Sequence, residues 1–195
     1  MAYASLNELK KYRGMTFANT ADDALLTDII AAAQSQIESY CGRIFEEAAV
    51  ASTRYYDAID DVSDDKLTLY LGTDCVSITA ITNGDGTSLT SADYVTEPRN
   101  STPYHALKLK SGGSYAWTYN DSPENAIEVK GKWAYSETAP AAIRQATIRL
   151  AAYMYAQKDA SVFDVTAMPD AGVIQVPQGL PADVKQILEP YRRLR

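Results

Sequence analysis

Histidine and cysteine are scarce in this chain of 195 residues, which contains one histidine, His105, and two cysteines, Cys41 and Cys75. A structural zinc site normally takes four cysteine or histidine ligands, so the chain cannot supply one. Cys41 lies in a helical pattern and Cys75 in a strand-like pattern, and neither belongs to a CxxC pair. We expect both to be small buried side chains rather than the two halves of a disulfide.

Long apolar runs are also missing. No stretch approaches the roughly 20 apolar residues that a membrane-spanning helix needs. The N-terminus, MAYAS, lacks the basic region and the apolar stretch of a signal peptide. We therefore expect a protein that is made in the cytosol, stays there or in an assembly built there, and has no membrane partner.

Basic residues are outnumbered, with 18 lysines and arginines against 25 aspartates and glutamates, a net charge of -7 and a pI near 4.7. Such a balance excludes a protein that grips nucleic acid through a broad basic face. The hydrophobic share of 46% is enough for a core, so disorder is excluded as well. The length suits one domain, or one domain with a sizeable insertion.

Catalytic motifs are absent: the chain has no GxSxG, no phosphate-binding GxxxxGK[ST], no HExxH and no GxGxxG. Paired carboxylates could bind a cation or perform glycosidic acid–base chemistry, but such pairs are more often caps and solvated turns. We predict no enzymatic activity, no cofactor and no metal site. The pairs are Asp22-Asp23, Glu46-Glu47, Asp60-Asp61 and Asp64-Asp65.

Helix signals occupy the two ends of the chain. Ser5 and Glu8 form an S-x-x-E capping box, and Gly14 ends that first helix. A second helix is predicted from a cap at residues 20–23 to Gly42, a third from Pro140, and a fourth from Pro181 that Pro190 ends or kinks. The apolar face predicted for the second helix consists of Leu25, Leu26, Ile29, Ile30, Ala33 and Ile37.

Strand signals occupy the middle. Runs rich in β-branched and aromatic residues, several with period two, occur at 53–57, 67–71, 76–81, 93–95, 106–109 and 126–131. Residues 83–87, NGDGT, faintly resemble a calcium loop but lack its glutamate at the twelfth position, so they predict a hairpin turn.

These signals together predict an α+β fold: a bundle of about four helices with an antiparallel β region inserted between the second and third. In one domain of 195 residues, the helical body comprises 1–50 and 136–195, and the β insert about 52–135. Residues 159–179 have no sustained period, and we interpret them as a long loop with one short strand at 173–176.

The β region is rich in aromatic residues, and many of the fourteen tyrosines of the whole chain lie in or beside it. Tyrosine and tryptophan are enriched in subunit interfaces, and strand propensity alone also favours them; these two interpretations carry equal weight, with stacking on sugars or bases behind. The inter-subunit candidates are Tyr55, Tyr56, Tyr70, Tyr94, Tyr115, Trp117 and Tyr119.

The two ends of the chain resemble one family closely. Residues 3–10 (YASLNELK) precede residues 33–45, which follow the pattern AxxxIExYCGRxF; residues 140–155 follow PxxIRxAxxxLAxxxY, and residues 181–192 contain PxxV and then LxxYR. These segments, in this order, resemble the head–tail connector (adaptor) family of long-tailed phages and their prophages. Smaller members have a short connection in the middle, and larger members carry a β insert like this one.

The resemblance implies a structural virion protein of the neck, without catalytic activity or cofactor, assembled in the host cytoplasm. It implies a dodecameric ring below the portal, with the portal protein on one side, a stopper or tail-completion protein on the other, and double-stranded DNA passing through the lumen without specific binding. An isolated chain can remain a monomer until it meets the portal.

The C-terminus clusters positive charge on an otherwise acidic chain. Tyr191, Arg192, Arg193 and Arg195 are the candidates for docking into the portal, on a flexible segment, although a helix C-terminus favours such charges by itself. Two further functions stay open. The chain could be another neck, tail-completion or stopper protein, or a β module that binds carbohydrate or a receptor.

Overall fold

The first helix shows how local sequence determines local structure here. In the computed structural model, which describes residues 2–160, 166–168, 172–174 and 179–193, α1 runs from Leu6 to Arg13. The Ser5 hydroxyl accepts a hydrogen bond from the Glu8 amide, and the Glu8 carboxylate accepts one from the Ser5 amide at 2.7 Å. The predicted capping box is therefore confirmed, as is the helix end at Gly14.

The second helix, α2, spans Asp23–Cys41 and ends, as predicted, at Gly42, whose φ of 64° favours glycine. Its start differs from the prediction. Asp22 occupies the N-cap position but makes no capping hydrogen bond, since its carboxylate accepts hydrogen bonds from the Tyr155 hydroxyl at 2.6 Å and the Lys158 ammonium at 3.1 Å. The Asp22 carboxylate therefore makes a tertiary contact with the third helix instead of capping α2.

The buried face of α2 is narrower than the sequence predicted. Leu25 is 37% exposed, because a helix turns about 100° per residue and Leu25 therefore points away from the side that Leu26 buries. The fully buried positions follow one helical stripe: Leu26, Ile30, Ala33, Ile37 and Cys41.

The remaining helices complete a helical unit of residues 2–42 and 139–195. The third helix, α3 (Ala141–Ala160), contacts α1, α2 and α4 (Ala182–Leu188). Beyond α4 the chain tightens into a 3-10 turn, Glu189–Tyr191, where Pro190 was predicted to end or kink the helix. The small buried side chains of Ala146 and Ala151 permit close approach of neighbouring helices to α3.

Between α3 and α4, strands β8 (Thr166–Met168) and β9 (Gly172–Ile174) pair antiparallel. Our interpretation of 159–179 as a loop with one strand therefore missed β8. The remainder of that segment, including part of the predicted strand at 173–176, lies outside the described residues.

A buried lysine fixes the connection between α1 and α2. Lys10 is 2% exposed, and its ammonium lies 2.5 Å from the Asp23 carboxylate. It also donates a hydrogen bond to the Asn19 carbonyl at 2.7 Å. Because a buried charge must be compensated, this group ties the loop between the two helices to the start of α2.

The β unit comprises residues 43–138 and contains two antiparallel sheets. One has the order β1-β7-β3-β4 and the other the order β2-β6-β5. The α+β class, with antiparallel sheets between α2 and α3, is therefore confirmed. The strands are β1 (Ser52–Tyr56), β2 (Thr68–Cys75), β3 (Ser77–Thr82), β4 (Ser88–Leu89), β5 (Tyr94–Glu97), β6 (Tyr104–Leu109) and β7 (Ile127–Lys132).

One apolar cluster joins the two sheets. Leu69 and Leu107 from one sheet and Ile127 and Val129 from the other are all fully buried in it. The strands β3 and β7 approach so closely that a Cβ added at Gly131 would lie 2.5 Å from the Ser77 carbonyl oxygen. Glycine is therefore required at this point of the sheet.

The predicted hairpin turn at 83–87 is present and is braced from outside. The Asn83 amide donates a hydrogen bond to the Thr87 carbonyl at 2.8 Å, which closes the turn between β3 and β4. The buried Asn83 side chain donates to the Ala116 carbonyl at 2.9 Å and accepts from the Thr118 amide at 3.2 Å. The Asn83 side chain thus holds the segment from Ala116 to Thr118 against this turn.

The division between the units falls after residues 42 and 138, so 43–50 join the β unit rather than the helical body in which we had placed them. Phe45 is fully buried there with its ring 5.7 Å from that of Tyr135, and the Tyr135 amide donates a hydrogen bond to the Ile44 carbonyl at 2.8 Å. Both cysteines are buried and neither forms a disulfide, as expected, and burial raises the pKa of Cys75 to about 11.

Candidate interaction surfaces

The C-terminal end of the helical unit carries three of the four predicted docking residues. The Arg193 amide donates a hydrogen bond to the Cys41 carbonyl at 2.9 Å, and the Tyr40 hydroxyl donates one to the Glu189 carboxylate at 3.0 Å. The Arg192 guanidinium lies 5.1 Å from the centroid of the Tyr40 ring. Up to Arg193 this end is therefore fixed to the last turn of α2, which corrects our expectation of a flexible segment.

The charges at this end differ in how firmly they are held. Arg192 forms an ion pair of 3.2 Å with Glu189, both largely exposed, so this pair is weak. Arg193 is half-buried, and no described carboxylate lies within 4 Å of its guanidinium. Burial and the hydrogen bond to Glu189 raise the pKa of the Tyr40 hydroxyl. Arg195 lies outside the described residues.

The aromatic candidates of the β unit fall into different environments. Tyr55 on β1 and Tyr70 on β2 are 56% and 53% exposed, and Tyr115 is 39% exposed. Since β1 and β2 belong to different sheets, these side chains do not form a single patch by register. Tyr94 and Tyr119 are partly buried and pack against the core cluster.

Two aromatic candidates belong to the core. Trp117 is fully buried, and its indole nitrogen donates a hydrogen bond to the Leu67 carbonyl at 3.0 Å. Tyr56 is 6% exposed, and its hydroxyl donates to the Leu71 carbonyl at 3.3 Å. Neither side chain is exposed, so neither is available for contact with another subunit. Composition alone could not distinguish these two aromatic residues from their exposed neighbours.

At least one member of each carboxylate pair serves local structure, as the sequence favoured. Asp23 pairs with Lys10, Asp61 accepts a hydrogen bond from a backbone amide, and Glu47 forms an ion pair with Lys132. Hydrogen bonds from Ser63 and a backbone amide lower the pKa of Asp65. Over the described ranges no group of three or more metal-ligating side chains could hold an ion, and no helix is long and apolar enough to cross a bilayer.

The β unit also contains a cleft that the sequence did not indicate. This open cleft has a volume of about 450 Å³ and lies between β3 and β5. Its walls include Ile78, Tyr94, Arg99 and Tyr104. The local sequence around Arg99 shows no periodic pattern, so no signal could have connected it to β3 before the sheets were known.

Comparisons with known proteins agree with this architecture. The model of the family described as "Head completion protein" matches residues 3–194. A chain from the solved structure "Neck of empty GTA particle computed with C6 symmetry" matches with a TM-score of 0.55 and 16% identity, over 97% of this chain and 89% of that chain. At this identity the likeness shows a shared fold alone. Among curated proteins, no sequence matches.

Since the family model covers nearly the whole chain, the protein belongs to the head completion protein family. This is a structural family without enzymatic activity, in agreement with the prediction from the missing catalytic motifs. The resemblance to phage head–tail assembly proteins that the sequence showed is thereby confirmed as membership of one such family.

Proposed function

We propose that the chain is a head–tail connector, an adaptor subunit that forms a ring below the portal in the neck of a phage-like particle. The observation that carries this proposal is the fold shared over 97% of the chain with a chain of a particle neck, together with the family membership. The ring joins the capsid to the tail, contacts the portal on one side and a stopper or tail-completion protein on the other, and lets DNA pass.

Twelve subunits form this ring in our proposal. The neck that provides the structural match was computed with C6 symmetry, which a twelve-membered ring contains. The net charge of -7 suits a channel for DNA, since carboxylates facing the lumen repel phosphates and keep the duplex from adhering.

The C-terminal end of the helical unit is the portal-docking site in this proposal. Arg193 is half-buried and has no carboxylate partner among the described residues, so its guanidinium is available to a partner's acceptor. Its backbone is fixed by the bond to Cys41, which reduces the entropy that docking would cost. A preordered cation of this kind favours a partner with carboxylates at the matching place.

Co-expression with the portal protein of the same particle tests this function. Tagged wild-type chain should retain the portal on an affinity column, and Arg192→Gln with Arg193→Gln should reduce the retained portal, because charge is lost while the backbone stays. Lys11→Gln with Lys185→Gln is the matched control, since it removes two exposed charges elsewhere in the helical unit. Retention of the stopper without the portal would assign the chain to another position in the neck.

A further inference from the structure

Two open strand edges face the cleft of the β unit. Its lining includes three consecutive residues from 76 to 78 and three from 94 to 96. Because side chains alternate between the faces of a strand, contact with three in a row means that the cleft meets the strand edge. Within the described residues β5 pairs only with β6, and β4 pairs with β3 only at Ile81 and Thr82. The edges at Ser77–Ile78 and along β5 are therefore open.

The lining combines apolar side chains with one kind of charge. Ile78, Tyr94, Val95 and Tyr104 supply apolar surface, and Arg99 is the charged member of the lining. Arg99 is exposed, and no carboxylate lies within 4 Å of it in the part of the chain that the structure describes. The cleft thus fits an apolar side chain that has a carboxylate beside it.

The loop between β1 and β2 presents that combination. Ile59 is 56% exposed at its tip, next to the exposed Asp60. The Asp57 carboxylate accepts hydrogen bonds from the Ile59 amide at 2.7 Å and the Asp60 amide at 2.9 Å, and the Asp57 amide donates to the Asp61 carboxylate at 2.9 Å. The tip is therefore ordered before any partner arrives, and an exposed isoleucine on an ordered acidic loop suits docking.

The loop and the cleft lie apart in both sheets. The loop follows β1 and is bonded to β2 through Asp61 and Tyr70, whereas the cleft is bounded by β3 and β5. In the sheet order β1-β7-β3, two strand spacings, about 10 Å, separate β1 from β3. Along β2, the loop is bonded at Tyr70, whereas the cleft is lined at Val76, just past the end of the strand and about 20 Å of extended chain away. One subunit therefore does not fill its own cleft, and two different patches on each copy are what a head-to-tail ring requires.

We infer that the loop tip of one copy, Ile59 and Asp60, docks into the β3–β5 cleft of the next copy, with Asp60 against Arg99. The partner is a second copy of this chain, and the contact repeats around the ring. This inference rests on the proposed ring function and names the surface that closes the ring. It replaces the exposed tyrosines as the centre of the inter-subunit contact.

Cysteine trapping on rings assembled with the co-expressed portal tests the contact. Native Cys41 and Cys75 are buried, so introduced thiols react alone. A chain carrying both Ile59→Cys and Val95→Cys should give a ladder of covalent oligomers on mild oxidation, while a mixture of the two single variants should give only dimers. The apolar character of the tip survives because cysteine is itself a small hydrophobic side chain. Val50→Cys with Val95→Cys is the control, since Val50 is 79% exposed.

A charge exchange tests the polar half of the contact. Arg99→Glu should lower the yield of the ladder about tenfold by placing like charges together, and adding Asp60→Arg should restore it. A ladder no stronger than that of the Val50 control, or a yield insensitive to the exchange, would overturn the inference. If rings form with the portal and these results are negative, only this contact is wrong. If wild-type chain never assembles with the portal, the proposed function itself fails.

Discussion

At the scale of single residues, Lys10 combines burial and charge more completely than any other lysine in the described part of the chain. Its ammonium compensates Asp23 and holds the Asn19 carbonyl, so one side chain joins α1, the following loop and α2. The contribution of such an ion pair to the free energy of unfolding is seen mainly when one partner is removed, because the other charge then remains without compensation.

Lys10→Ala should lower the free energy of unfolding by about 2–3 kcal/mol, because it strands the Asp23 carboxylate and a loop carbonyl. Urea denaturation followed by circular dichroism at 222 nm measures the change. Lys11→Ala, at an exposed neighbouring position, is the control and should change little. Equal effects of the two substitutions would show that burial of Lys10 has no energetic consequence.

The Glu8 carboxylate makes a pH-dependent contribution. Hydrogen bonds from the Ser5 backbone and hydroxyl lower its pKa below the ordinary 4.5. A lowered pKa in the folded state means stability that is present above the unfolded value and lost as the pH falls through the folded value. Glu8→Gln should therefore flatten the decline of the urea midpoint between pH 6 and pH 3, relative to wild type and to Glu128→Gln. A decline unchanged by Glu8→Gln would contradict this.

At the scale of elements, the pattern of residues predicted every described helix and six of the seven strands of the two sheets, since capping boxes, terminal glycines and period-two runs act locally. The strand β4 was missed because its two residues are too few to show a period. Tertiary competition was not predictable: Asp22 bonds to α3 instead of capping α2. Which aromatic side chains are buried was also not predictable, because Trp117 and Tyr115 have similar local sequence but opposite exposure. The cleft and the Ile59 tip depend on sheet order, which no local pattern encodes.

Gly131→Ala should destabilise the β unit by about 1–3 kcal/mol, because the new methyl group would meet the Ser77 carbonyl of the neighbouring strand. Both tryptophans, Trp117 and Trp133, lie in the β unit, so their fluorescence during urea denaturation reports the change. Gly112→Ala, where an added Cβ meets nothing within 4 Å, is the matched control. A wild-type midpoint for Gly131→Ala would show that β3 and β7 can separate at no cost.

At the scale of the whole molecule, the net charge of -7 and the two unlike surfaces of the β unit fit one purpose in our proposal. A subunit that surrounds DNA must bind its neighbours firmly and the duplex poorly. Repulsion by carboxylates supplies the second requirement without any particular residue being essential.

Purified chain should not retain double-stranded DNA at about 150 mM salt, because binding of that kind grows with the number of phosphates neutralised by lysine and arginine. Gel mobility shift over a series of salt concentrations measures this. The variant Arg192→Gln with Arg193→Gln serves for comparison. Binding by wild-type chain that weakens steeply with salt and disappears in the variant would reassign the C-terminal arginines to DNA.

The hydrogen bond between Tyr135 and Ile44 has a consequence for how such a chain can change over evolution. It brings the first and last segments of the β unit side by side, so the chain enters and leaves this unit at one point. An inserted unit whose two ends are adjacent can be lengthened, shortened or exchanged without changing the distance between the flanking helices. In our proposal, replacing this unit would change the ring contacts and leave the helical ends as they are, and a label could be inserted at the same junction.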